Sequence, residues 1–179
     1  MFKNRFESMF RELGSVSGLV TCALIVAVYV VLNFMSIYVL PEIKLTFAFL
    51  ALAVLAVRFG PVIAALAGGA ADVIAFYIRP VDSFAPGLTL SVMLSAFVFG
   101  LFLYRTKLEL WRIIVSRTII NVFLHTLLNT YWLSLLYGKG YFAMLHARAL
   151  KNLVLLPIEI FLIFVVLKAY DRIIGRQNA

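Results

Sequence analysis

The sequence predicts an all-α integral membrane protein, a bundle of six transmembrane helices with both termini in the cytoplasm. Hydrophobic residues make up 64% of the 179 positions and charged residues 13%, with a mean hydropathy of +1.05. A soluble domain is closer to half apolar. Three stretches contain no Asp, Glu, Lys or Arg (13–41, 83–104 and 118–138), and each has the roughly 20 residues needed to cross a bilayer.

The remaining membrane spans are predicted from apolar stretches that are interrupted by single charged residues. We predict helices near 15–35, 43–58, 60–78, 86–104, 110–137 and 148–170. The first 14 residues are charged and amphipathic, with apolar side chains at helical spacing, which is typical of a helix lying at the membrane surface. The predicted organisation is therefore a cytoplasmic amphipathic segment at 1–14, a six-helix transmembrane domain at 15–170 and a cytoplasmic tail at 171–179.

Orientation follows from the distribution of lysine and arginine. With six spans, eleven of the sixteen basic residues lie on the side that holds both termini. Lys and Arg are enriched on the cytoplasmic side of membrane proteins. Both termini are therefore predicted in the cytoplasm, and the formal net charge of +8 needs no nucleic-acid partner to explain it.

The first helix carries small residues one turn apart at Ala23 and Ala27. Small side chains four residues apart allow another helix to approach closely within lipid. The only cysteine, Cys22, lies in the same helix, which excludes an intramolecular disulfide. We read this helix as a candidate docking face.

The second and third helices are separated by the short turn Arg58–Pro61, in which Gly60 supplies backbone freedom and the proline begins the next helix. The third helix contains a run of alanine and glycine followed by Asp72. A carboxylate at this depth is costly unless it faces the bundle interior and has a partner. Asp72 is therefore a candidate for a functional site or for a structural ion pair.

Polar side chains are concentrated in the fifth helix. Asn121, His125 and Asn129 recur every four residues, so they line one stripe with Arg117 and Trp132 near its edges. A helix surrounded by lipid has no use for such a stripe. It is expected to face the interior, although Arg117 and Asn121 lie close to the predicted cytoplasmic end and are not expected to share a site with the outer residues.

The sixth helix opens with Arg148, Lys151 and Asn152. Three hydrogen-bond donors within two turns at the mouth of a polar helix indicate an anion site, although long cations also extend to lipid headgroups. Glu159, deeper in the same helix, requires an internal partner.

Several chemistries are not indicated. The chain has no phosphate-binding loop of the G-x-x-x-x-G-K-[ST] type, so it is expected to use no ATP itself. Its two histidines, His125 and His146, lack the spacing of a zinc site. An intramembrane enzyme using Asp72 and His125 as acid and base stays open as an alternative.

Two long stretches resemble the S components of bacterial energy-coupling-factor (ECF) transporters, most closely the folate-specific type. They are AADVIAFYIRPVDSFAPGLTLS at 70–91 and NTYWLSLLYGKGYFAMLHARALKNLVLLPIE at 129–159. The resemblance covers essentially the whole chain, and Ala23 and Ala27 match the docking motif of the family. It implies a six-helix protein of the bacterial cell membrane that binds a vitamin near its extracellular face.

The resemblance also implies partners and site residues. The partner is an ECF module of one membrane protein and two ATPases, which would use the ATP, so no cofactor is expected in this chain. A carboxylate such as Asp72 would pair with the guanidine-like edge of the pterin, aromatic rings would stack on it, and cations would bind the glutamate tail. The predicted substrate-binding residues are Asp72, Tyr77, Arg79, His125, Asn129, Tyr131, Trp132, Arg148, Lys151 and Asn152.

Alternatives to folate capture come from three classes. The same scaffold could bind another flat vitamin or precursor such as thiamine, a pyrimidine or queuosine, although a cationic vitamin would be repelled by Arg148 and Lys151. The second alternative is the small intramembrane enzyme. The third is a purely structural membrane subunit, which leaves the polar stripe unexplained.

Overall fold

The computed structural model describes residues 13–35, 37–40, 43–80, 85–138 and 140–175. Its elements are α1 (Val16–Phe34), β1 (Ile37–Leu40), β2 (Ile43–Leu45), α2 (Ala48–Ile78), α3 (Pro86–Leu103), α4 (Leu110–Ile119), a π-helical segment (Ile120–Leu128), α5 (Asn129–Tyr137) and α6 (Tyr141–Gly175). Most of the predicted amphipathic segment at 1–14, the end of the predicted tail and the loop at 81–84 lie outside the described residues.

Within these ranges, five helical stretches are long and apolar enough to cross a membrane. They are Val16–Phe34, Ala48–Ile78, Pro86–Leu103, Leu110–Tyr137 and Tyr141–Ile173. The fourth stretch comprises α4, the π-helical segment and α5, and is called the Leu110–Tyr137 helix below. The predicted helical membrane class is confirmed, and two of the predicted six helices are joined in α2.

The long helix α2 reverses direction at Gly60. This residue has φ +82° and ψ 178°, which is not helical, and Pro61 follows it. A Cβ on Gly68 would lie 2.9 Å from Cδ2 of Leu52, although sixteen residues of continuous helix would separate the two by about 24 Å. The segments before and after Gly60 therefore pack against each other as an antiparallel hairpin, as the Arg58–Pro61 turn predicted.

The helix α3 crosses this hairpin at backbone contact. A Cβ on Gly100 would lie 2.3 Å from Cα of Pro61, so only glycine fits there without displacement of the turn. Small residues at the α2–α3 interface, Ala64 and Ala96, are completely buried. Close packing of small side chains is what holds helices together where lipid tails remove the hydrophobic driving force.

The connection after α1 forms a two-stranded antiparallel sheet, in which Ile37 pairs with Leu45 and Tyr38 with Lys44. The prediction that the second helix begins near 43 was wrong, because 43–45 are extended and α2 begins at Ala48. The Thr46 hydroxyl accepts a hydrogen bond from the backbone N–H of Ala48 at 3.2 Å. This bond satisfies one of the free donors at the helix start.

The fifth predicted helix was expected to be a single α-helix over 110–137, and its middle is π-helical at Ile120–Leu128. A π-helix bonds residues five apart and is frequent at functional sites. The sixth predicted helix, expected at 148–170, is longer and covers Tyr141–Gly175.

The residue preceding α4, Glu109, accepts hydrogen bonds from Trp111 Nε1 at 2.6 Å and Arg112 Nε at 3.1 Å. The bond from Arg112, and then the one from Trp111, lower the pKa of the Glu109 carboxyl below its usual value. The start of α4 is thus tied to its own first turn.

Candidate functional site

A pocket lies between α1, α2, α3, the Leu110–Tyr137 helix and α6. Its polar lining residues are Tyr29, Thr46, Ser95, Arg117, Asn121, His125, Lys151, Asn152 and Glu159. Its apolar lining residues are Ala48, Phe49, Leu52, Val92 and Phe99. Three aromatic rings and four ionisable side chains in one concavity are typical of a site for a flat, polar small molecule.

An ion pair joins the two most polar walls of the pocket. Arg117 Nε donates to Glu159 Oε2 at 3.0 Å, and Arg117 Nη2 lies 2.9 Å from Glu159 Oε1. The Arg117 side chain is 3% exposed and that of Glu159 is 18% exposed. The bidentate geometry meets the requirement that a buried charge be paired.

The third nitrogen of the same guanidinium, Nη1, takes no part in this ion pair. The guanidinium carbon lies 4.5 Å from the centre of the Phe49 ring, an arrangement in which the cation rests on the ring face. In the described part of the chain, Arg117 Nη1 is buried and has no hydrogen-bond partner. Buried donors are almost always satisfied, so this atom is a candidate for contact with a bound molecule.

Two asparagines extend the network between the Leu110–Tyr137 helix and α6. Asn121 Nδ2 donates to the backbone carbonyl of Asn152 at 3.2 Å and to Glu159 Oε2 at 3.4 Å. Asn152 Nδ2 donates to Thr126 Oγ1 at 2.9 Å. These bonds hold the two antiparallel helices in one register, because a shift by one residue would break all of them.

The polar stripe of the fifth predicted helix faces the interior, as expected. Arg117 and Asn121 are buried, and both line the pocket together with His125. Arg117 and Asn121 were expected not to share a site with the outer polar residues. This expectation was wrong, because the pocket extends along the helix from Lys151 and Asn152 as far as Arg117. Asn129 Nδ2 lies 3.3 Å from His125 Nδ1.

Asp72 faces the bundle interior and has partners, but it does not line the pocket. It accepts hydrogen bonds from the Tyr29 hydroxyl at 3.1 Å and from Thr89 Oγ1 at 2.8 Å. Tyr29, 4% exposed, lines the pocket itself. The carboxylate therefore lies behind the tyrosine ring and ties α1 to α2 and α3.

The other predicted residues divide into three groups. Lys151 and Asn152 line the pocket with His125. Tyr77, Arg79 and Tyr131 are exposed, and Arg79 Nη1 donates to the backbone carbonyl of Phe34 at 3.4 Å. Their roles in binding stay predictions.

Trp132 and Arg148 are half-buried and outside the pocket lining. The Trp132 ring packs on the start of α3, where a Cβ on Gly87 would lie 2.1 Å from Cδ2 of the indole. Within the described ranges, Trp132 Nε1 and Asn129 Oδ1 are buried without a hydrogen-bond partner.

Sequence reasoning missed the residues that α1 and α2 contribute, above all Tyr29 and Phe49. Apolar aromatic residues in apolar helices carry no local signal, so only the packing of distant helices identifies them. Ala23 and Ala27 are exposed on the side of α1 away from the bundle, next to apolar Leu24 and Val28.

The model of the family described as "ECF transporter, substrate-specific component" matches residues 17–167. The folate transporter FolT of Clostridium novyi (strain NT) is 33% identical over 141 residues, covering 79% of this chain and 81% of that protein. FolT of Leuconostoc mesenteroides subsp. mesenteroides is 26% identical over 147 residues, covering 79% of each protein.

One solved structure, a crystal structure of FolT bound with folic acid, has the same fold. It superposes with a TM-score of 0.79 at 27% sequence identity and covers 84% of this chain and 92% of that chain.

Proposed function

This chain belongs to the substrate-specific components of ECF transporters, and from that premise we propose that it captures folate in the described pocket and delivers it through a separate ATP-driven module. The observation that carries the proposal is the likeness, over 92% of its length, to a FolT that binds folic acid. Members of the family are transporter components and not enzymes.

The alternative of a small intramembrane enzyme is wrong. The relatives are transporters, and the two residues proposed as an acid and base have separate partners. Asp72 bonds Tyr29 and Thr89, while His125 lies next to Asn129.

The chemistry of the pocket supports folate as the ligand. Phe49 and Tyr29 offer aromatic surfaces for a flat ring system. Lys151 lies in the lining, and Arg148 is one turn away on the same helix, so two cations are positioned for the carboxylates of the glutamate tail.

Six membrane crossings with both termini in the cytoplasm are part of the proposal. The reversal at Gly60 supports two crossings within α2. The distribution of basic residues supports the orientation.

The proposed partner is an ECF module of one membrane protein and two ATPases, with ATP used there and no cofactor held by this chain. The exposed pair Ala23 and Ala27 on α1 supports a docking face, because small side chains allow a partner helix to approach closely.

Calorimetric titration of the purified chain with folic acid tests the proposal, with thiamine as the control ligand. We expect saturable one-to-one binding of folic acid and none of thiamine.

Lys151→Met is expected to weaken the binding of folic acid about ten- to a hundredfold, because a charged contact is lost. The matched control Lys168→Met changes an exposed lysine of the same helix and should bind normally. Absence of folic acid binding by the wild type would overturn the proposal.

A further inference from the structure

We propose that the linker between α3 and α4 (residues 104–109), together with the first turn of α4, binds the headgroup of an anionic phospholipid. The residues that hold the headgroup are Arg105 and Lys107, next to the ring of Trp111. The inference goes beyond the proposed function and does not depend on folate binding.

The linker lies at the end of the bundle that holds the Gly60 turn. A Cβ on Gly100, three residues before the end of α3, would lie 2.3 Å from Cα of Pro61. Arg117, which lines the pocket, follows Leu110 by seven residues, or about 10 Å along the helix axis. The linker is therefore separated from the pocket by two turns of α4, at the end proposed above to face the cytoplasm.

The linker is anchored so that its two cations face outward. The Tyr104 side chain is 5% exposed, Leu108 packs against the hydrophobic core, and Glu109 accepts hydrogen bonds from the first turn of α4. Arg105 and Lys107 are exposed. Because the protein holds the residues on either side, both charges are presented at its surface.

The backbone of Arg105 is strained. Its φ of +51° lies in the left-handed region, and within the described ranges it is the only residue other than glycine with a positive φ. Glycine adopts this conformation at no steric cost, whereas a residue with a Cβ does not. Strained residues are concentrated at functional sites. The position therefore has a use for the arginine side chain that outweighs the strain.

Positive charge predominates around the linker. Residues 104–112 contain three cations and one carboxylate, which are Arg105, Lys107, Arg112 and Glu109. Arg112 and Glu109 pair with each other at 3.1 Å, so the excess charge of this segment comes from Arg105 and Lys107. The last turns of α6 carry two further cations and one carboxylate, Lys168, Arg172 and Asp171. This distribution of charge attracts an anion.

The surroundings of the two cations favour a lipid over other anions. Trp111 is 53% exposed, and Leu101 and Leu110 on either side of the linker are also exposed. The indole of Trp111 donates to Glu109 at 2.6 Å, and the guanidinium carbon of Arg112 lies 5.0 Å from its centre. Such a ring, apolar with one polar edge, is typical of the level at which hydrocarbon meets headgroups. Cations next to exposed apolar side chains complement a phosphate that is joined to acyl chains.

The test measures which lipid lies next to Trp111. The full chain is reconstituted in vesicles of phosphatidylcholine and phosphatidylglycerol, with bromine on the acyl chains of one lipid or of the other. Quenching of tryptophan fluorescence then gives the relative affinity of the two lipids, of which only phosphatidylglycerol has a net charge. At low ionic strength we expect phosphatidylglycerol to be favoured about three- to tenfold, and the preference should decrease in high salt.

Variants are needed to assign the preference to the linker, because Trp132 is a second source of fluorescence. Lys107→Gln and Lys168→Gln form a matched pair, since each removes one exposed lysine at this end of the bundle. Lys107→Gln should lower the preference about twofold, and Lys168→Gln should leave it unchanged. In Arg105→Gly with Lys107→Gln the preference should nearly disappear, while the unfolding midpoint stays the same or rises because glycine relieves the strain.

Each outcome decides the inference. Equal quenching by the two brominated lipids in the wild type overturns it, and so does an equal loss of preference in Lys107→Gln and Lys168→Gln, which would indicate a general effect of surface charge. If the double variant does not fold, the matched pair decides. Preference in the wild type, its decrease in Lys107→Gln and its retention in Lys168→Gln support the inference.

Two further measurements separate a lipid from other anionic partners. Glycerol phosphate, which has no acyl chains, should not reduce the preference, and a reduction would show a site for a soluble anion instead. A folded double variant that keeps the preference but no longer co-purifies with an ECF module would show that the linker contacts a protein. Either result overturns the inference.

Discussion

Two carboxylates lie within the helical bundle, Asp72 on α2 and Glu159 on α6, and they have opposite surroundings. Asp72 accepts from two hydroxyls, those of Tyr29 and Thr89, and lies behind the pocket wall. Glu159 is paired with Arg117 and lines the pocket. Two acidic residues of one bundle therefore have different partners, and of the two only Glu159 lines the pocket.

Of the substitutions at these two carboxylates, Glu159→Ala is expected to have the largest effect on stability. It leaves the Arg117 guanidinium, 3% exposed, without its counter-charge, and an uncompensated buried charge typically costs about 3–5 kcal/mol of stability. Thermal unfolding in detergent should show a large decrease of the midpoint. The double variant with both residues changed to Gln serves as the control and should be closer to the wild type. A midpoint equal to that of the wild type for Glu159→Ala would contradict the prediction.

Asp72→Ala is expected to have a moderate effect on stability and a small one on binding. The hydroxyls of Tyr29 and Thr89 lose their acceptor, at a cost of about 1–3 kcal/mol. Folic acid affinity should change by less than about threefold in calorimetric titration, which is under 1 kcal/mol, because the carboxylate does not line the pocket. A loss of affinity above tenfold in a folded variant would support the predicted role of Asp72 as a direct ligand contact.

Tyr29→Phe tests whether the ring of Tyr29 or its hydrogen bond to Asp72 matters for binding. The phenyl ring keeps the aromatic surface, and the hydrogen bonds of the hydroxyl to Asp72 and Asn33 are lost, at a cost of about 1 kcal/mol for each. A slightly lower unfolding midpoint and nearly unchanged folic acid affinity are expected. Tyr29→Ala is the matched variant, which should weaken binding because it removes the ring. Equal affinities of the two variants would show that the ring contributes nothing.

Ala23→Trp should have the smallest effect on stability and on folic acid binding, because Ala23 is exposed on the side of α1 that faces away from the bundle. Unfolding midpoint and folic acid binding should match the wild type, while assembly with an ECF module, measured by co-purification, and folate uptake by cells should be lost. Val154→Trp, a bulky change at an exposed position of α6, is the control for added size and should assemble normally. Undisturbed assembly with Ala23→Trp would exclude this face.

Much of the candidate site was visible in the sequence as a pattern on single helices. The four-residue spacing of Asn121, His125 and Asn129 predicted an inward-facing stripe, and Arg117 and Asn121 are buried as that pattern requires. Tyr77 and Tyr131 are exposed, and their predicted contacts with a ligand stay predictions. An aromatic side chain near a helix end reads the same whether it faces lipid or a pocket.

The sequence by itself determined the membrane class, the reversal at Gly60 and the family, because these depend on composition, local backbone chemistry and contiguous motifs. Only the tertiary structure decided which carboxylate lies in the pocket and which lies behind it. Arg117 and Glu159 are 42 residues apart, and Tyr29 and Asp72 are 43 apart. Partner choice over such separations depends on how the helices pack, and no local pattern in the chain encodes it.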